Sequence, residues 1–120
     1  MTSATRVLRS LAWCCVVLLA VLSLLPAEEM VRTGADGHLE HATAYAGTAF
    51  LFGLGYPDWG WKRPAAGLVI YAAVLEVLQT FSPGRHPAVE DWLASSAGVL
   101  LGIGAAIRAG TLWGSRKPDG

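Results

Sequence analysis

The sequence predicts an all-α integral membrane protein, a bundle of four short transmembrane helices with both termini cytoplasmic. Composition is the first observation behind this prediction, because 53% of the 120 residues are hydrophobic and 15% are charged, against roughly 25% charged in an average soluble protein. The second observation is that the apolar residues form four blocks separated by charged segments. The third is that Lys and Arg are concentrated in every second one of the segments that flank or connect these blocks.

The composition also excludes three other classes of protein. Nine Lys and Arg balance nine Asp and Glu, whereas a nucleic-acid-binding module needs a surplus of basic residues. We therefore expect no nucleic-acid partner. The hydrophobic content excludes a disordered chain. Cys14 and Cys15 are the only cysteines and are adjacent within an apolar run, which excludes a small domain held together by disulfides.

The four apolar blocks predict the positions of the helices. Each block holds about 15 to 18 residues, or roughly 24 to 27 Å of helix, which flanking residues extend towards a ~30 Å hydrocarbon core. We expect helices at about residues 10–26, 38–56, 64–81 and 91–108. They form one transmembrane domain, 10–109, between a cytoplasmic N-terminus, 1–9, and a cytoplasmic tail, 110–120. The alternative is a soluble bundle, but no block has a charged face to present to water.

The first block has an alternative interpretation as a cleaved signal peptide. Arg6 and Arg9 precede its apolar run and Pro26-Ala27 follows it, as in a secretory signal. Cleavage after Ala27 would place Leu25 three residues before the cut, at a position that takes a small side chain. We therefore predict a retained membrane helix.

The distribution of Lys and Arg predicts the orientation of the bundle, because these residues are enriched in cytoplasmic loops. Seven of the nine lie in the N-terminal segment, the second loop and the C-terminal end. The first and third loops hold one each, Arg32 and Arg85. We therefore expect both termini in the cytoplasm, the first and third loops outside, and a multi-pass location in the inner (cytoplasmic) membrane.

Each of the last three predicted helices carries a stripe of polar or small residues on one face. Spacings of three and four residues place side chains on the same face of a helix. The stripes consist of His38, His41, Tyr45 and Thr48 in the second helix, of Ala72, Ala73, Glu76, Gln79 and Thr80 in the third, and of Asp91, Ser95, Gly98 and Gly102 in the fourth. We interpret Gly98 and Gly102 as a surface for close helix packing. The polar groups are costly in a membrane, so the three stripes are expected to face one another.

The depth of these stripes predicts a polar cluster in the outer third of the membrane, where an external ligand would bind. The second and fourth helices enter from outside, and the third ends there. The residues expected at this cluster are His41, Tyr45, Glu76, Gln79, Arg85, Asp91 and Ser95. Structural roles stay open for four of them. Glu76 and Gln79 suit interhelical hydrogen bonds, Asp91 suits a helix cap, and Arg85 suits an ion pair within its loop.

Metal binding and nucleophilic catalysis are not predicted. His41, Glu76 and Asp91 have the side-chain types of metal ligands, but no HExxH or His-x-His spacing accompanies them. Ser95 and Ser96 lack the GxSxG setting of a nucleophile. The chain has no phosphate-binding loop and no dinucleotide fingerprint. We expect no metal and no cofactor.

Four motifs, in this order along the chain, resemble those of one known family. They are Gly37-His38-Leu39-Glu40-His41-Ala42-Thr43-Ala44-Tyr45, Leu75-Glu76-Val77-Leu78-Gln79, Pro83-Gly84-Arg85, and Asp91-Trp92-Leu93-Ala94 followed by Gly98. Together they resemble the VanZ-like family of small bacterial membrane proteins, over about residues 37–107. Gly37 and His38 stand where that family often has Asp-Lys, and Ser95 stands where it often has Asn.

The resemblance implies a function at the cell envelope, because the namesake of the family is associated with resistance to the lipoglycopeptide teicoplanin. We expect a non-enzymatic protein whose outward cluster binds an amphipathic ligand, lipid-linked or lipoglycopeptide, or an envelope partner. Its expected role is glycopeptide resistance or envelope homeostasis. Membrane lipids are expected around the bundle, and oligomerisation stays open. The alternative is a small intramembrane enzyme acting on a lipid-linked substrate, with Glu76 and His41 as acid and base and Arg85 steering an anionic headgroup.

Overall fold

The computed structural model describes residues 2–24, 37–82 and 89–116, and within these ranges the protein is helical. Its four α-helices are α1 (Ser3–Leu24), α2 (Gly37–Gly55), α3 (Lys62–Leu78) and α4 (Val89–Arg116). Short 3-10 turns, Pro57–Trp59 and Gln79–Phe81, follow α2 and α3. No strand occurs within the described ranges, so the predicted all-α fold is confirmed for them.

Two helices extend beyond their predicted bounds. α1 begins at Ser3 rather than near residue 10, because the side-chain oxygen of Thr2 accepts a hydrogen bond of 3.1 Å from the backbone N–H of Thr5 and so caps the helix. α4 continues past the predicted end near residue 108 to Arg116, because no proline interrupts it. The segment from Gly110 to Arg116, predicted as part of a tail, is therefore helical.

Three of the described helical segments are long and apolar enough to span a membrane, namely Ser3–Leu24, Lys62–Phe81 and Val89–Gly110. Four such helices are predicted from the sequence, and α2 is the one that does not reach this apolarity. The reason is that Glu40 and His41 lie near its start, and its middle is rich in Ala, Gly and Thr. α2 contacts each of the other three helices, and α4 most extensively, so it lies at the centre of the bundle.

α2 and α4 run parallel and form the closest helix pair in the bundle. A β-carbon added to Gly98 would overlap the carbonyl oxygen of Ala42, and one added to Gly102 would overlap that of Ala46. From the first of these contacts to the second, each helix advances by four residues in the same direction. The two helices are therefore parallel. Only glycine allows the two backbones to approach this closely.

The core lies between the helices, and much of the outer surface is apolar. Ala49 on α2 and Val99 on α4 are completely buried. Val17 and Leu18 on α1 are 63% and 55% exposed, and Leu101 on α4 is 71% exposed. Large apolar side chains exposed in such numbers are typical of a surface that contacts lipid or another protein.

Polar contacts attach the first half of α1 to the end of α2. The Nε of Arg9 donates a 2.8 Å hydrogen bond to the carbonyl oxygen of Gly55, and its guanidinium lies 4.3 Å from the centroid of the Tyr56 ring. The indole nitrogen of Trp13 donates a 2.8 Å hydrogen bond to the Tyr56 hydroxyl. The cation thus meets both an aromatic face and the carbonyl end of a helix, where positive charge is favoured.

Candidate functional site

Three ionisable side chains from three helices meet at one end of the bundle. His41 lies near the start of α2, Glu76 near the end of α3 and Asp91 near the start of α4. An imidazole nitrogen and one oxygen of each carboxylate all lie within 4.8 Å of one another. All three residues are partly buried, and each is engaged in interactions with other groups. We call these three residues the three-helix cluster.

The close packing of α2 and α4 positions two members of this cluster. Ala42 follows His41 directly and lies against Gly98, which is about two turns after Asp91 on α4. Because the two helices are parallel, their N-terminal turns lie at the same end of the bundle. The contact between Gly98 and Ala42 therefore keeps the helix turns that carry His41 and Asp91 close together.

α3 carries the third member of the cluster and runs antiparallel to α2 and α4. Its last turn, which carries Glu76, lies at the same end as the first turn of α4. The indole nitrogen of Trp92 donates a 3.0 Å hydrogen bond to the carbonyl oxygen of Val69 on α3. This contact holds the two helices together beside the cluster.

Two further residues predicted at the cluster, Tyr45 and Ser95, are buried deeper in the bundle, each only 2% exposed. The hydroxyl of Ser95 donates a 3.0 Å hydrogen bond to the carbonyl oxygen of Asp91 in its own helix, a common way to satisfy a serine within a helix. Tyr45 lies within electrostatic range of Glu76. Tyr45 lies about one turn after His41 and Ser95 about one turn after Asp91, so both follow a cluster residue along its own helix.

Gln79, also predicted at the cluster, forms a hydrogen bond to α1. Its side-chain nitrogen donates a 2.9 Å hydrogen bond to the carbonyl oxygen of Ser23, and the residue is 3% exposed. The hydroxyl of Ser82 donates a 2.8 Å hydrogen bond to the carbonyl oxygen of Leu24. Both contacts fasten the end of α3 to the end of α1, which favours the interhelical role that the sequence left open for Gln79.

Replacing Gln79 with methionine is expected to lower the free energy of unfolding by about 1 kcal/mol, because one buried interhelical hydrogen bond is lost while the side-chain volume is kept. Unfolding in mixed detergent micelles, followed by circular dichroism, measures this change. The matched control is Thr80→Val, which removes an exposed hydroxyl that donates to the carbonyl oxygen of Val77, three residues earlier in the chain. Equal losses of stability in the two variants would contradict the role assigned to Gln79.

Charge separates along the axis of the bundle. Glu40 and Glu90 accompany Glu76 and Asp91 at the cluster end. Within the described ranges, every Lys and Arg belongs to the opposite end, together with the acidic Asp58: Arg6, Arg9, Lys62, Arg63, Arg108 and Arg116. Arg85, predicted at the cluster, lies outside the described residues, as does the side chain of His38.

An open apolar groove of about 370 Å³ runs between α3 and Trp92 of α4. It lies beside the cluster, since Val77 follows Glu76 and Trp92 follows Asp91 in the chain. The lining is almost entirely apolar and consists of Val69, Ile70, Ala73, Val74, Val77, Leu78 and Trp92. The sequence analysis missed this groove. The feature of the sequence that could have indicated the groove is the four-residue spacing of Val69, Ala73 and Val77. These residues share one face of α3, and the small side chain of Ala73 leaves space between the two valines.

The cluster and the groove together suit a molecule with a polar head and an apolar chain. The carboxylates of Glu76 and Asp91 accept hydrogen bonds, and the imidazole of His41 donates or accepts them. The groove offers an adjoining surface to a hydrocarbon chain. An imidazole and a carboxylate at this separation are also the components of an acid–base pair.

Comparisons with protein-family models, with curated proteins and with solved structures find no match for this chain.

Proposed function

We propose that the chain is a multi-pass protein of the bacterial cytoplasmic membrane, related to the VanZ-like family, that binds an amphipathic envelope molecule at its outer face. The observation that carries the proposal is the three-helix cluster beside an open apolar groove. The cluster holds the polar head of the ligand, and the groove holds its chain. The physiological role is glycopeptide resistance, teicoplanin included, or envelope homeostasis.

The membrane location is supported by three apolar helical segments and by the exposed apolar surface of the bundle. α2 is the fourth membrane helix in this proposal. Its polar start, Glu40 and His41, lies at the interface, and its remaining length contacts the other three helices. Both termini are cytoplasmic, because the end of the bundle that carries the described Lys and Arg residues faces the cytoplasm.

The ligand class follows from the position of the groove. A groove that opens towards lipid can receive an acyl chain directly from the bilayer. The acyl chain therefore does not have to pass through water. The cluster then meets the head at the depth of the lipid headgroups. His41, Glu76 and Asp91 each lie within one of the motifs that resemble the VanZ-like family. A lipoglycopeptide and a lipid-linked precursor both have the required polar head and apolar chain.

Filling the groove tests this proposal. In Ala73→Phe the new ring occupies the groove while the three-helix cluster is unchanged. We expect the affinity of the purified protein for teicoplanin, measured by calorimetry in lipid nanodiscs, to fall by at least about tenfold, or roughly 1.4 kcal/mol. Glu76→Gln, which alters the head end of the site, is expected to weaken binding similarly.

Two controls accompany this measurement. Ala66→Phe places the same ring on an exposed position of α3 outside the groove and should leave the affinity unchanged. Deacylated teicoplanin lacks the chain and should bind weakly to the unmodified protein. Equal binding of the two glycopeptides, or full affinity in Ala73→Phe, would overturn the proposal.

The second candidate function is a small intramembrane enzyme, favoured by the separation of at most 4.8 Å between the ligand-type atoms of Glu76 and His41. In this case Glu76 and His41 transfer protons to and from a lipid-linked substrate. Mass spectrometry of a lipid-linked disaccharide after incubation with the protein decides between the two functions. A product that disappears in Glu76→Gln, with the abundance of the protein unchanged, supports the enzyme. Recovery of an unaltered substrate supports the binding function.

A further inference from the structure

The geometry points to a binding site for one divalent transition-metal ion of the zinc class, held by His41 on α2, Glu76 on α3 and Asp91 on α4. The inference goes beyond the proposed function, because it concerns the cluster alone and does not depend on the groove. Sequence spacing gives no sign of such a site, since each ligand comes from a different helix. The site becomes visible only when the three helices are packed.

The distances allow the three side chains to reach a common metal ion. Zinc binds imidazole nitrogen and carboxylate oxygen at ~2.0–2.2 Å, so that two ligands of a four-coordinate ion are roughly 3.3 Å apart. The three ligand atoms lie within 4.8 Å of one another. Small side-chain rotations therefore bring them to binding distance without movement of the helices. The contact of Ala42 with Gly98 holds two of the three helices at this spacing.

The charge of the cluster also suits a divalent cation. Two carboxylates share one imidazole in a partly buried position, and the described Lys and Arg residues all belong to the other end of the bundle. A divalent ion bound by one neutral imidazole and two carboxylates forms a site with no net charge.

The donor set selects the class of metal. Mg²⁺ and Ca²⁺ prefer six or more oxygen ligands, while an imidazole combined with carboxylates is typical of Zn²⁺ and neighbouring transition metals. Three protein ligands leave one position open on a four-coordinate ion, as in the zinc sites that bind water or an exogenous ligand.

Metal titration of the purified full chain tests the inference. The chain carries no histidine tag, and Cys14 and Cys15 are replaced by alanine, because thiolates bind zinc themselves. After removal of metals by a chelator, Zn²⁺ is titrated against a chromophoric competitor. We expect one Zn²⁺ per chain and no displacement by a hundredfold excess of Mg²⁺. His41→Ala and Glu76→Gln should each weaken binding at least about a hundredfold. Glu90→Gln, at an exposed carboxylate next to Asp91, should leave it unchanged.

Co²⁺ provides a readout that needs no variant within the cluster. Bound in place of Zn²⁺, it should show the intense visible absorption of a four-coordinate ion, and Zn²⁺ should remove this absorption stoichiometrically. Absence of that absorption, binding below one ion per chain, or unchanged zinc affinity in folded His41→Ala would overturn the inference. Ala73→Phe separates it from the proposed function, because this variant should keep the zinc affinity of the parent chain whether or not it loses the acylated ligand.

Discussion

Replacing Gly98 with alanine is expected to destabilise the bundle by about 1 to 3 kcal/mol, although the change adds a single methyl group. The added β-carbon would overlap the carbonyl oxygen of Ala42, a backbone atom that cannot rotate away. α2 and α4 would have to separate, and this movement would also draw His41 away from Asp91. Reversible unfolding in mixed detergent micelles, followed by circular dichroism, measures the loss.

The matched control is Gly104→Ala on the same helix. A β-carbon at Gly104 meets no atom within 4 Å, and alanine is favoured over glycine inside a helix by roughly 0.5–1 kcal/mol. The control is therefore expected to be neutral or slightly stabilising. If Gly98→Ala were as stable as Gly104→Ala, the close backbone contact between α2 and α4 would be contradicted.

Periodicity and composition predict the helices and which residues of α2, α3 and α4 share a face. The all-α fold follows from them. The proximity of His41, Glu76 and Asp91 follows as well, because polar side chains are costly in lipid and are expected to face one another inside the bundle. The observed bounds of α1 and α4 differ from the predicted ones, because apolar content indicates only the part of a helix that can lie in lipid. The cap at Thr2 and the proline-free end of α4 extend both helices further.

Contacts between helices distant in sequence could not be predicted in the same way. The hydrogen bond from Gln79 to the Ser23 carbonyl depends on the rotation of α3 against α1. The contact of Arg9 with Gly55 and Tyr56 depends on where α1 lies beside α2. Helical spacing determines the face on which a residue lies, but it does not determine which neighbouring helix that face meets.

The proposed orientation places the three-helix cluster on the outside of the cytoplasmic membrane. The distribution of charge supports this proposal, because the Lys and Arg residues of the described ranges belong to the end opposite the cluster. Cytoplasmic segments of membrane proteins are enriched in Lys and Arg. Glu90, at the cluster end, and Lys62, at the basic end, are both exposed, so each is suitable for chemical labelling.

Labelling of single cysteines with a membrane-impermeant maleimide tests this claim most directly. Glu90→Cys and Lys62→Cys are introduced separately into a chain in which Cys14 and Cys15 have been replaced by alanine. In intact cells, the predicted result is strong labelling at position 90 and labelling at position 62 only after the membrane is permeabilised. Protection at position 90 together with labelling at position 62 in intact cells would contradict the account.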